Sequence, residues 1–226
     1  MGRPGGVAEA IDFLSLLSDE HRRHFLERST RAVYPAGTVV FGSEAPTHAF
    51  LLDRGLVRIF WTVPDGRQAT VAYFHSHELL GGTTIIGESP RTYSQVVVES
   101  TLTTLDLEVV RGLAATEIEV TGAIAKHLAT VVRNAFRLIA VRSLGNIAER
   151  TAYDLLDRAC RSQLVVGRLE VRATHADLAD SIGSSREVVS RSLRGLRTLQ
   201  IVETAPGLVR ILDPERLASI VRAFVI

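Results

Sequence analysis

Three arginines and one glutamate lie close together in the segment SIGSSREVVSRSLRGL, residues 181–196. Guanidinium groups pair with the N7 and O6 acceptors of guanine in the major groove of DNA, and a carboxylate accepts a hydrogen bond from the N4 amine of cytosine. Attraction to phosphate alone would need no acid, whereas a mixed set suits the edges of bases. We therefore expect contacts to nucleic acid from four side chains: Arg186, Glu187, Arg191 and Arg194.

Two predicted helices, over residues 174–182 and 185–199, would position these side chains. Thr174 and Ser185 stand at the two helix starts, and both residue types are frequent helix caps. Gly183 supplies the tight turn between the helices. The segment is therefore predicted to form a helix-turn-helix.

The second of these helices has a packed side and a presented side. Its 3.6-residue period places three apolar residues on one stripe: Val189, Leu193 and Leu196. Glu187 and Arg191 fall roughly opposite, and their spacing of four residues also fits a surface ion pair worth about 0.2–0.5 kcal/mol. Such a pair does not explain why arginines outnumber acids by three between residues 181 and 200.

The composition is that of a globular chain without disulfides. The chain has 226 residues, of which 46% are apolar and 23% charged, and this length suits two modest domains. Cys160 is the sole cysteine, which excludes an intrachain disulfide and a four-thiolate zinc or iron–sulfur site within one chain. Lys126 is the sole lysine, so nearly every positive charge is a guanidinium, which binds phosphate and guanine with two prongs.

Other classes of protein are disfavoured by missing patterns. No apolar run approaches the roughly 18 residues of a membrane span, and the start lacks the order of a signal peptide, so we expect a cytoplasmic protein without membrane contacts. The sequence has no nucleophile elbow, no phosphate-cradling glycine loop and no paired-histidine zinc motif. We therefore expect that the protein is not an enzyme.

Short β-rich runs dominate the first half of the chain. Between residues 33 and 107 lie the segments TVVF, AFLL, LVRIFWTV, QATVAYF, SQVVVE and LTTLDL, separated by turns rich in Gly, Pro and Asp. Closely spaced short strands favour a small antiparallel sandwich or barrel. A helical pattern over residues 9–30 precedes these strands, and helices with a hairpin around Gly207 follow. The fold class is therefore predicted to be α+β.

A longer helical pattern, over residues 109–143, connects the two halves. Its apolar residues alternate in steps of four and three, as in a coiled coil: Ile124, Leu128, Val131, Ala135 and Leu138. A self-paired helix would make the protein a twofold homodimer, although the same spacing also fits a helix that packs on its own domain. A break at residues 143–146, around Gly145, sets the predicted domains: 1–108, 109–143 and 144–226.

Two stretches of the sequence resemble a known family. The helix-turn-helix of the Crp/Fnr family, the cyclic-AMP receptor protein and its relatives, is similar to the stretch THADLADSIGSSREVVSRSLRGLRTLQIV. The β-roll of that family, a jelly-roll or cupin-like effector domain, is similar to the stretch YPAGTVVFGSEAPTHAFLLDRGLVRIFWTVPDGRQATVAYF. The resemblance implies an N-terminal antiparallel β-roll that senses an effector, a long dimerisation helix and a C-terminal winged helix-turn-helix domain that binds DNA.

The resemblance also implies roles for individual residues and partners. Four side chains match positions that contact bases: Arg186, Glu187, Ser190 and Arg191. Three are expected on DNA phosphates: Thr174, Ser185 and Arg194. At the two helix starts, backbone N–H groups already favour an anion. The implied partners are double-stranded DNA with a pseudo-palindromic operator whose half-sites contain a TGA core, a second copy of the chain, and RNA polymerase.

The predicted effector pocket departs from the family pattern. Members that bind cyclic nucleotides carry a Gly-Glu pair, whose acid holds the ribose, and an Arg followed by Ser or Thr that binds the cyclic phosphate. Here Gly81 matches the glycine, but Gly82 stands in place of the acid. Because a phosphate site without its paired charge loses its strongest contacts, cyclic AMP is disfavoured and the effector stays unknown. The candidate pocket residues are Gly81, Gly82, Thr83, Arg91, Thr92, Tyr93, Ser94, Ala135 and Phe136.

Several interpretations stay open. A gap in the alignment would restore Arg91 as a phosphate ligand, which would give a cyclic-AMP-responsive regulator with an atypical pocket. His75 and His77 alternate on a predicted strand and would share a face, which suits a haem or metal, although two surface histidines near a turn fit as well. The pocket could also be filled by side chains or accept a different small acid. The alternative function is a ligand-sensing β-roll protein whose winged helix docks a protein partner.

Overall fold

Strands in the first half of the chain form two four-stranded antiparallel sheets. The structure, a computed structural model, describes residues 11–42, 48–62, 64, 68–87, 92–166 and 169–222. Within these ranges the strands of the first half are β1 (Thr30–Tyr34), β2 (Val39–Phe41), β3 (Ala49–Arg54), β4 (Leu56–Thr62), β5 (Gln68–His75), β6 (Leu79–Leu80), β7 (Tyr93–Val96) and β8 (Ser100–Leu105). The sheet orders are β1-β8-β3-β6 and β2-β7-β4-β5, which confirms the predicted antiparallel β-roll.

The two sheets enclose an apolar core because residues on their strands alternate between faces. Directly opposed residues share a face of a sheet, and Val57 of β4 is opposed by Phe74 of β5 and by Val96 of β7. Phe50 and Leu52 of β3 complete the same buried cluster. Burial of side chains of this size contributes about 1.5–3 kcal/mol each, so this core is a main source of the stability of the roll.

A second apolar cluster joins β3 to neighbouring helices. Ala49 and Leu51 alternate with the residues that enter the first core, and they pack with Phe13, Phe25 and Ile124. The helices are a short 3-10 helix (Phe13–Leu16), α1 (Asp19–Phe25), α2 (Gly82–Ile86), α3 (Leu107–Thr116) and α4 (Ile118–Leu144). The continuous helix predicted over residues 9–30 is therefore replaced, within the described residues, by a 3-10 helix, α1 and the start of β1.

A break divides the long predicted helix into α3 and α4. Glu117 ends α3 in an extended conformation. The His21 ring of α1 lies against this break, with Nδ1 2.8 Å from Glu119 Oε2 and Nε2 3.4 Å from Glu117 Oε2. The hydrogen bond with Glu119 raises the pKa of His21, and hydrogen bonds from the Ser18 N–H and from His21 lower the pKa of Glu119. This cluster ties α1 to the helix break.

The first three residues of the predicted dimer seam on α4 pack within the chain instead. Ile124 lies in the cluster behind β3, Leu128 packs against the same cluster, and Val131 packs against the core between the sheets. The prediction of a self-paired seam is therefore wrong at Ile124, Leu128 and Val131, because the apolar clusters of the first half of the chain cover them. A second series with the same four-three spacing, rotated by about 100° around the helix, is largely exposed. This apolar stripe consists of Ala125, Ala129, Val132, Phe136 and Ile139.

The predicted break after α4 is present. Gly145 lies between α4 and α5 (Ile147–Val166), and a Cβ at this position would stand 2.5 Å from the Val141 carbonyl oxygen. Asn146 caps α5: its N–H donates to Glu149 Oε2 at 2.8 Å, and its Oδ1 accepts from the Glu149 N–H at 3.0 Å. Helix α5 therefore begins with a capping group of its own and does not continue α4.

The C-terminal elements form a winged helix-turn-helix. They are α5, β9 (Glu170–Arg172), α6 (His175–Ile182), α7 (Arg186–Thr198), β10 (Val202–Ala205), β11 (Leu208–Ile211) and α8 (Pro214–Arg222). The three strands form an antiparallel sheet in the order β10-β11-β9, and Gly207 turns the predicted hairpin with a φ of 69°. By contact density the chain divides into two compact units between Arg133 and Asn134. Among the helices described, none is both long and apolar enough to span a membrane.

Candidate nucleic-acid interface and effector pocket

Both helices of the helix-turn-helix begin at the predicted caps. The Thr174 hydroxyl accepts from the Asp177 N–H at 3.1 Å, and Asp177 Oδ2 accepts from the Thr174 N–H at 2.8 Å, which completes a reciprocal capping box. The Ser185 hydroxyl accepts from the Val188 N–H at 3.4 Å at the start of α7. Gly183 ends α6 with a φ of 61°, in the left-handed region that glycine tolerates. These local contacts determine where α6 begins and ends and where α7 begins.

Helix α7 has the two sides that its periodicity predicts. The packed side is buried and consists of Val189, Leu193 and Leu196. Arg186, Glu187 and Arg191 are exposed on the remaining surface. The first turns of α7 therefore carry these three exposed side chains, on the surface left by the packed side.

Glu187 is held by its own helix start and not by Arg191. The carboxylate accepts hydrogen bonds from its own backbone N–H and from the Ser185 hydroxyl, and these bonds lower its pKa. The nearby charge that also lowers this pKa is that of Arg186. Arg191 is not among the groups that shift this pKa, and no Glu187–Arg191 ion pair is present in the described part of the chain, so the predicted surface ion pair is wrong. The Arg191 guanidinium consequently stays exposed on α7.

Ser190 lies half-buried between the two helices. Its hydroxyl donates to the Arg186 carbonyl oxygen at 2.7 Å, and its Oγ is also 2.7 Å from Nδ1 of His175. His175 is the first residue of α6, directly after the cap. The sequence does not indicate this partner of Ser190, because no local pattern reports a contact between residues fifteen positions apart.

A groove lies beside this contact, between the helix-turn-helix and the wing. It has a volume of about 590 Å³. Its lining residues come from the start of α6, the start of α7 and the tip of the hairpin: Thr174, His175, Ala176, Arg186, Thr204, Ala205, Pro206 and Gly207. Two helix N-termini, which favour anions, therefore border one concave surface.

The three residues predicted to contact phosphates are all exposed. Thr174 and Ser185 occupy the cap positions of α6 and α7, and Arg194 lies one turn beyond Arg191. The carboxylate of Asp177 accepts hydrogen bonds from the Thr174 N–H and hydroxyl, and these bonds lower its pKa. The free protein thus already holds an anion at the start of α6.

The two glycines of the predicted effector pocket stand in close-packed positions at the start of α2. Gly81 has a φ of 82°, and a Cβ there would lie 3.2 Å from Ala49 Cα. Gly82 is buried, and a Cβ there would lie 3.2 Å from Leu128 Cδ2 of α4. Any side chain at position 82 would therefore require the Leu128 side chain to shift, so the packing is adapted to glycine at this position.

The other predicted pocket residues of this unit point in different directions. Ser94 is opposed by Ile59, which belongs to the core between the sheets, so Ser94 faces inward and is completely buried. Tyr93 lies on the opposite face and stacks on Phe60, with ring centroids 5.4 Å apart. Thr92 is buried just before β7, and Thr83 in α2 is half-buried. The neutral hydroxyl of Ser94 supplies no charge for a phosphate.

The three remaining pocket candidates are Arg91, Ala135 and Phe136. Arg91 lies outside the described residues. Ala135 and Phe136 belong to the second compact unit, whereas α2 and β7 belong to the first. Ala135 is half-buried, and the Phe136 side chain is largely exposed on the apolar stripe of α4.

The predicted shared face of His75 and His77 is wrong. His75 ends β5, but His77 lies in the following turn with a φ of 73°, so the strand alternation does not extend to it. The carboxylate of Glu78 accepts from the His75 N–H at 2.7 Å. Within the described part of the chain, no three His, Cys, Asp or Glu side chains are grouped as metal ligands would be.

Arg58, a completely buried arginine on β4, is a polar feature that the sequence motifs did not indicate. Its guanidinium donates to the Thr70 hydroxyl at 2.7 Å and to the side-chain oxygens of Gln68 and Gln95 at 3.0 and 3.3 Å. The guanidinium carbon also lies 4.5 Å from the centre of the Phe60 ring. The signal in the sequence is one arginine within the otherwise apolar run LVRIFW.

Comparison with known proteins identifies the family. Residues 149–220 match the Crp-like helix-turn-helix domain, and residues 31–117 match the cyclic nucleotide-binding domain. The cyclic AMP receptor protein of Thermus thermophilus is 32% identical to the chain over 192 residues, which make up 84% of this chain and 87% of that protein. The chain belongs to the Crp/Fnr family. Crp/Fnr proteins are transcription regulators and not enzymes, so the chain is a Crp/Fnr-type regulator with both characteristic domains.

Other Crp/Fnr relatives differ in the signals that their names state. The CRP-like cAMP-activated global transcriptional regulator of Mycobacterium tuberculosis is 26% identical over 190 residues, covering 82% of this chain and 85% of that protein. The structure of the c-di-GMP responsive global regulator CLP of Xanthomonas campestris covers 86% of this chain and 99% of its own, with a TM-score of 0.54 at 20% identity. A Crp/Fnr structure from Eubacterium rectale covers 94% and 99%, with a TM-score of 0.59 at 22% identity. These two structures support the Crp/Fnr fold alone.

Proposed function

We propose that this regulator binds a specific DNA operator by inserting α7 into the major groove. The observation that carries the proposal is the division of α7, whose apolar side is buried while Arg186, Glu187 and Arg191 stay exposed on its first turns. The two arginines match the paired acceptors of guanine, and the carboxylate of Glu187 matches the amine of cytosine. Its lowered pKa keeps this carboxylate ionised and therefore an acceptor.

Phosphate contacts would fix the register of α7 on the duplex. We assign them to Thr174 and Ser185 at the two helix starts and to Arg194 on α7. The groove between these helix starts and the hairpin tip is concave and close to two helix N-termini, which supports this assignment. Ser190 belongs to the base-contacting set with the three exposed residues of α7.

A second copy of the chain would cover the apolar stripe of α4. Val132, Phe136 and Ile139 expose 51%, 61% and 64% of their surface in the protomer. Their four-three spacing fits a left-handed pairing of two helices, and a twofold axis through such a pair makes the contact self-complementary. A homodimer of this kind presents two copies of α7, which requires a pseudo-palindromic operator with half-sites about one helical turn apart.

Cyclic AMP is not the effector in this proposal. Leu128 packs against the position of the missing ribose acid, and the inward residue of β7 is the neutral Ser94. A cyclic phosphate would thus lack its charged partner among these residues. Three phenylalanines, Phe41, Phe50 and Phe74, pack in or against the core between the sheets, which supports a roll filled by its own side chains.

Operator binding can be tested with a randomised DNA library. Palindromic duplexes are selected from the library with the wild-type protein, and affinities are measured by fluorescence anisotropy. Joint replacement Glu187→Ala and Arg191→Ala should reduce the preference for the selected half-site by about 10- to 100-fold, since each paired contact discriminates by about 1–3 kcal/mol. Arg197→Ala is the matched control, because Arg197 is an exposed arginine in the last turn of the same helix.

Two outcomes would contradict the proposal. One is unchanged affinity and unchanged preference in the double variant, which would favour the docking of a protein on the winged helix. The other is binding without a steep salt dependence, since phosphate contacts release counterions. The effector is tested separately: native mass and absorption spectra of the purified protein reveal a retained small molecule or a haem band, and retained cyclic AMP would refute the proposal for the pocket.

A further inference from the structure

We propose that His175 is a positioning residue that makes Ser190 a hydrogen-bond acceptor in base recognition. The inference rests on the proposed operator binding and concerns a residue without a base-contacting role. The hydroxyl of Ser190 lies between two groups at equally short distances: the Arg186 carbonyl oxygen and Nδ1 of His175, each 2.7 Å from Oγ. The first contact lies within α7, and the second joins α7 to the start of α6.

The two contacts share one hydroxyl hydrogen, and this determines their direction. If Ser190 donated to Nδ1, two acceptor oxygens would face each other at 2.7 Å with no hydrogen between them. Both contacts are satisfied when the Ser190 O–H donates to the Arg186 carbonyl and the Nδ1–H of His175 donates to Oγ. Neutral His175 would therefore carry its proton on Nδ1.

With both contacts formed, the Ser190 hydroxyl can still accept one hydrogen bond but can no longer donate one. A serine hydroxyl has one donor and two acceptor lone pairs. The donor is taken by Arg186 and one lone pair by His175, so a base can use only the second lone pair. In the major groove the donors are the N6 amine of adenine and the N4 amine of cytosine, whereas guanine and thymine present acceptors at their corresponding edges. Ser190 should therefore favour adenine or cytosine at the base that it meets.

His175 is placed to enforce this direction. It is half-buried, and its ring lines the groove between the helix-turn-helix and the wing, beside Thr174 and Arg186. The ring is rigid and is attached directly after the Thr174 cap, so its position follows that of α6. Without the Nδ1 donor, the Arg186 carbonyl oxygen would be the only remaining partner of the Ser190 hydroxyl, which could exchange that bond for one to a base acceptor.

A matched pair of substitutions separates this role from simple packing. Asparagine places its side-chain nitrogen near the position of Nδ1 of histidine, whereas glutamine places it near Nε2. His175→Asn should therefore keep the Ser190-dependent base preference, and His175→Gln and His175→Phe should lose it. Ser192→Ala is the control on the same helix, because the buried Ser192 hydroxyl has no hydrogen-bond partner among the described residues. Thermal unfolding of each variant shows whether the fold is retained.

The readout is base preference at each half-site position, measured by competition between duplexes that differ in one pair. The position whose preference is lost in Ser190→Ala identifies the base contacted. There the wild type should favour adenine or cytosine by about 3- to 10-fold, as expected for one neutral hydrogen bond. His175→Phe should reduce this ratio to near one, and the double variant His175→Phe with Ser190→Ala should lose no more than either alone.

Each other outcome has a distinct meaning. A preference for guanine or thymine at the Ser190-dependent position would overturn the assigned direction. A His175→Phe protein that keeps the wild-type ratio, or a His175→Asn protein that loses it while His175→Gln keeps it, would overturn the positioning role. If Ser190→Ala changes no position while the wild type still prefers one operator, the inference fails and the operator proposal stands. A wild-type protein with no preference for any duplex would refute the proposed function itself.

Discussion

Replacing Phe136 with glutamate tests the proposed dimer directly. Phe136 stands in the middle of the apolar stripe of α4 and is 61% exposed in the protomer. A charged side chain at this position remains solvated in a monomer, whereas in a paired helix it would be buried next to its twofold-related copy. The substitution should therefore weaken association and leave the fold of the protomer intact.

The magnitude follows from the exposed area. A phenylalanine buries roughly 200 Å² when fully covered, so 61% exposure leaves about 120 Å² to be buried by a partner. At roughly 25 cal/mol per Å² this contributes about 3 kcal/mol per protomer, and about 6 kcal/mol per dimer as an upper limit. If the partner helix covers half of this area, the loss is about 3 kcal/mol, which raises the dimer Kd by more than about 100-fold.

Sedimentation velocity over a concentration series measures this Kd. Phe136→Leu is the control, because it retains an apolar side chain and should stay close to the wild type. Leu138→Ala provides the contrast: Leu138 is 6% exposed, so its truncation should lower the free energy of unfolding by about 2–5 kcal/mol instead. A Phe136→Glu protein with the wild-type Kd, or a wild-type protein that is monomeric at micromolar concentration, would refute the assignment of the stripe.

Three further predictions concern stability. The thermal stabilities of the wild type and of His21→Ala should differ most between pH 4.5 and pH 6.5, the ordinary pKa values of glutamate and histidine. The raised pKa of His21 stabilises the fold below pH 6.5, and this contribution is lost as the pH rises through the pKa of His21 in the folded protein. The lowered pKa of Glu119 stabilises the fold above pH 4.5, and this contribution is lost as the pH falls through the pKa of Glu119 in the folded protein. Gly145→Ala should lower the free energy of unfolding in urea by about 1–3 kcal/mol, because its Cβ meets the Val141 carbonyl oxygen. Thr174→Ala should lower the free energy of unfolding in urea by about 1 kcal/mol, because the cap of α6 is lost. The same substitution should weaken operator binding in the anisotropy assay.

Each of these has a control and a contradicting result. A His21→Ala difference that persists unchanged in alkaline buffer would mean that the ring acts by packing and not by charge. Gly112→Ala, in α3, meets open space and should raise the free energy of unfolding by about 0.5–1 kcal/mol, so a neutral Gly145→Ala would contradict the steric argument. Asp177→Ala should match the stability loss of Thr174→Ala, since both break the same capping box.

Local patterns predicted the elements that local physics determines. The stripe of Val189, Leu193 and Leu196 is packed as predicted, because one amphipathic helix permits only one solution. The caps Thr174 and Ser185 could also be predicted from the sequence, since a capping residue forms its hydrogen bond within the first turn of its own helix. The predicted contacts of these residues with DNA stay predictions.

The predictions that were wrong concern residues whose environment depends on distant parts of the chain. Helix α4 carries two series with four-three spacing, and only the packing of Ile124 and Leu128 on the β-roll shows which one is covered. His77 followed an alternating pattern but left the strand, because its N–H donates to the Leu52 carbonyl oxygen at 2.6 Å in a turn. The bond between His175 and Ser190 joins two helices and has no signal in either.

The capping box of α6 also determines which anions can bind there. The Asp177 carboxylate already accepts hydrogen bonds from the Thr174 N–H and hydroxyl, and its lowered pKa keeps it ionised. A phosphate that binds here must replace the Asp177 carboxylate. For a free phosphate ion in solution, this exchange gives little binding free energy. In the proposed complex, a phosphate on a DNA strand held by α7 would arrive at a high effective concentration and could make the exchange. The start of α6 should therefore bind free inorganic phosphate and free nucleotides weakly, and should bind a phosphate that belongs to a polymer already held by the protein.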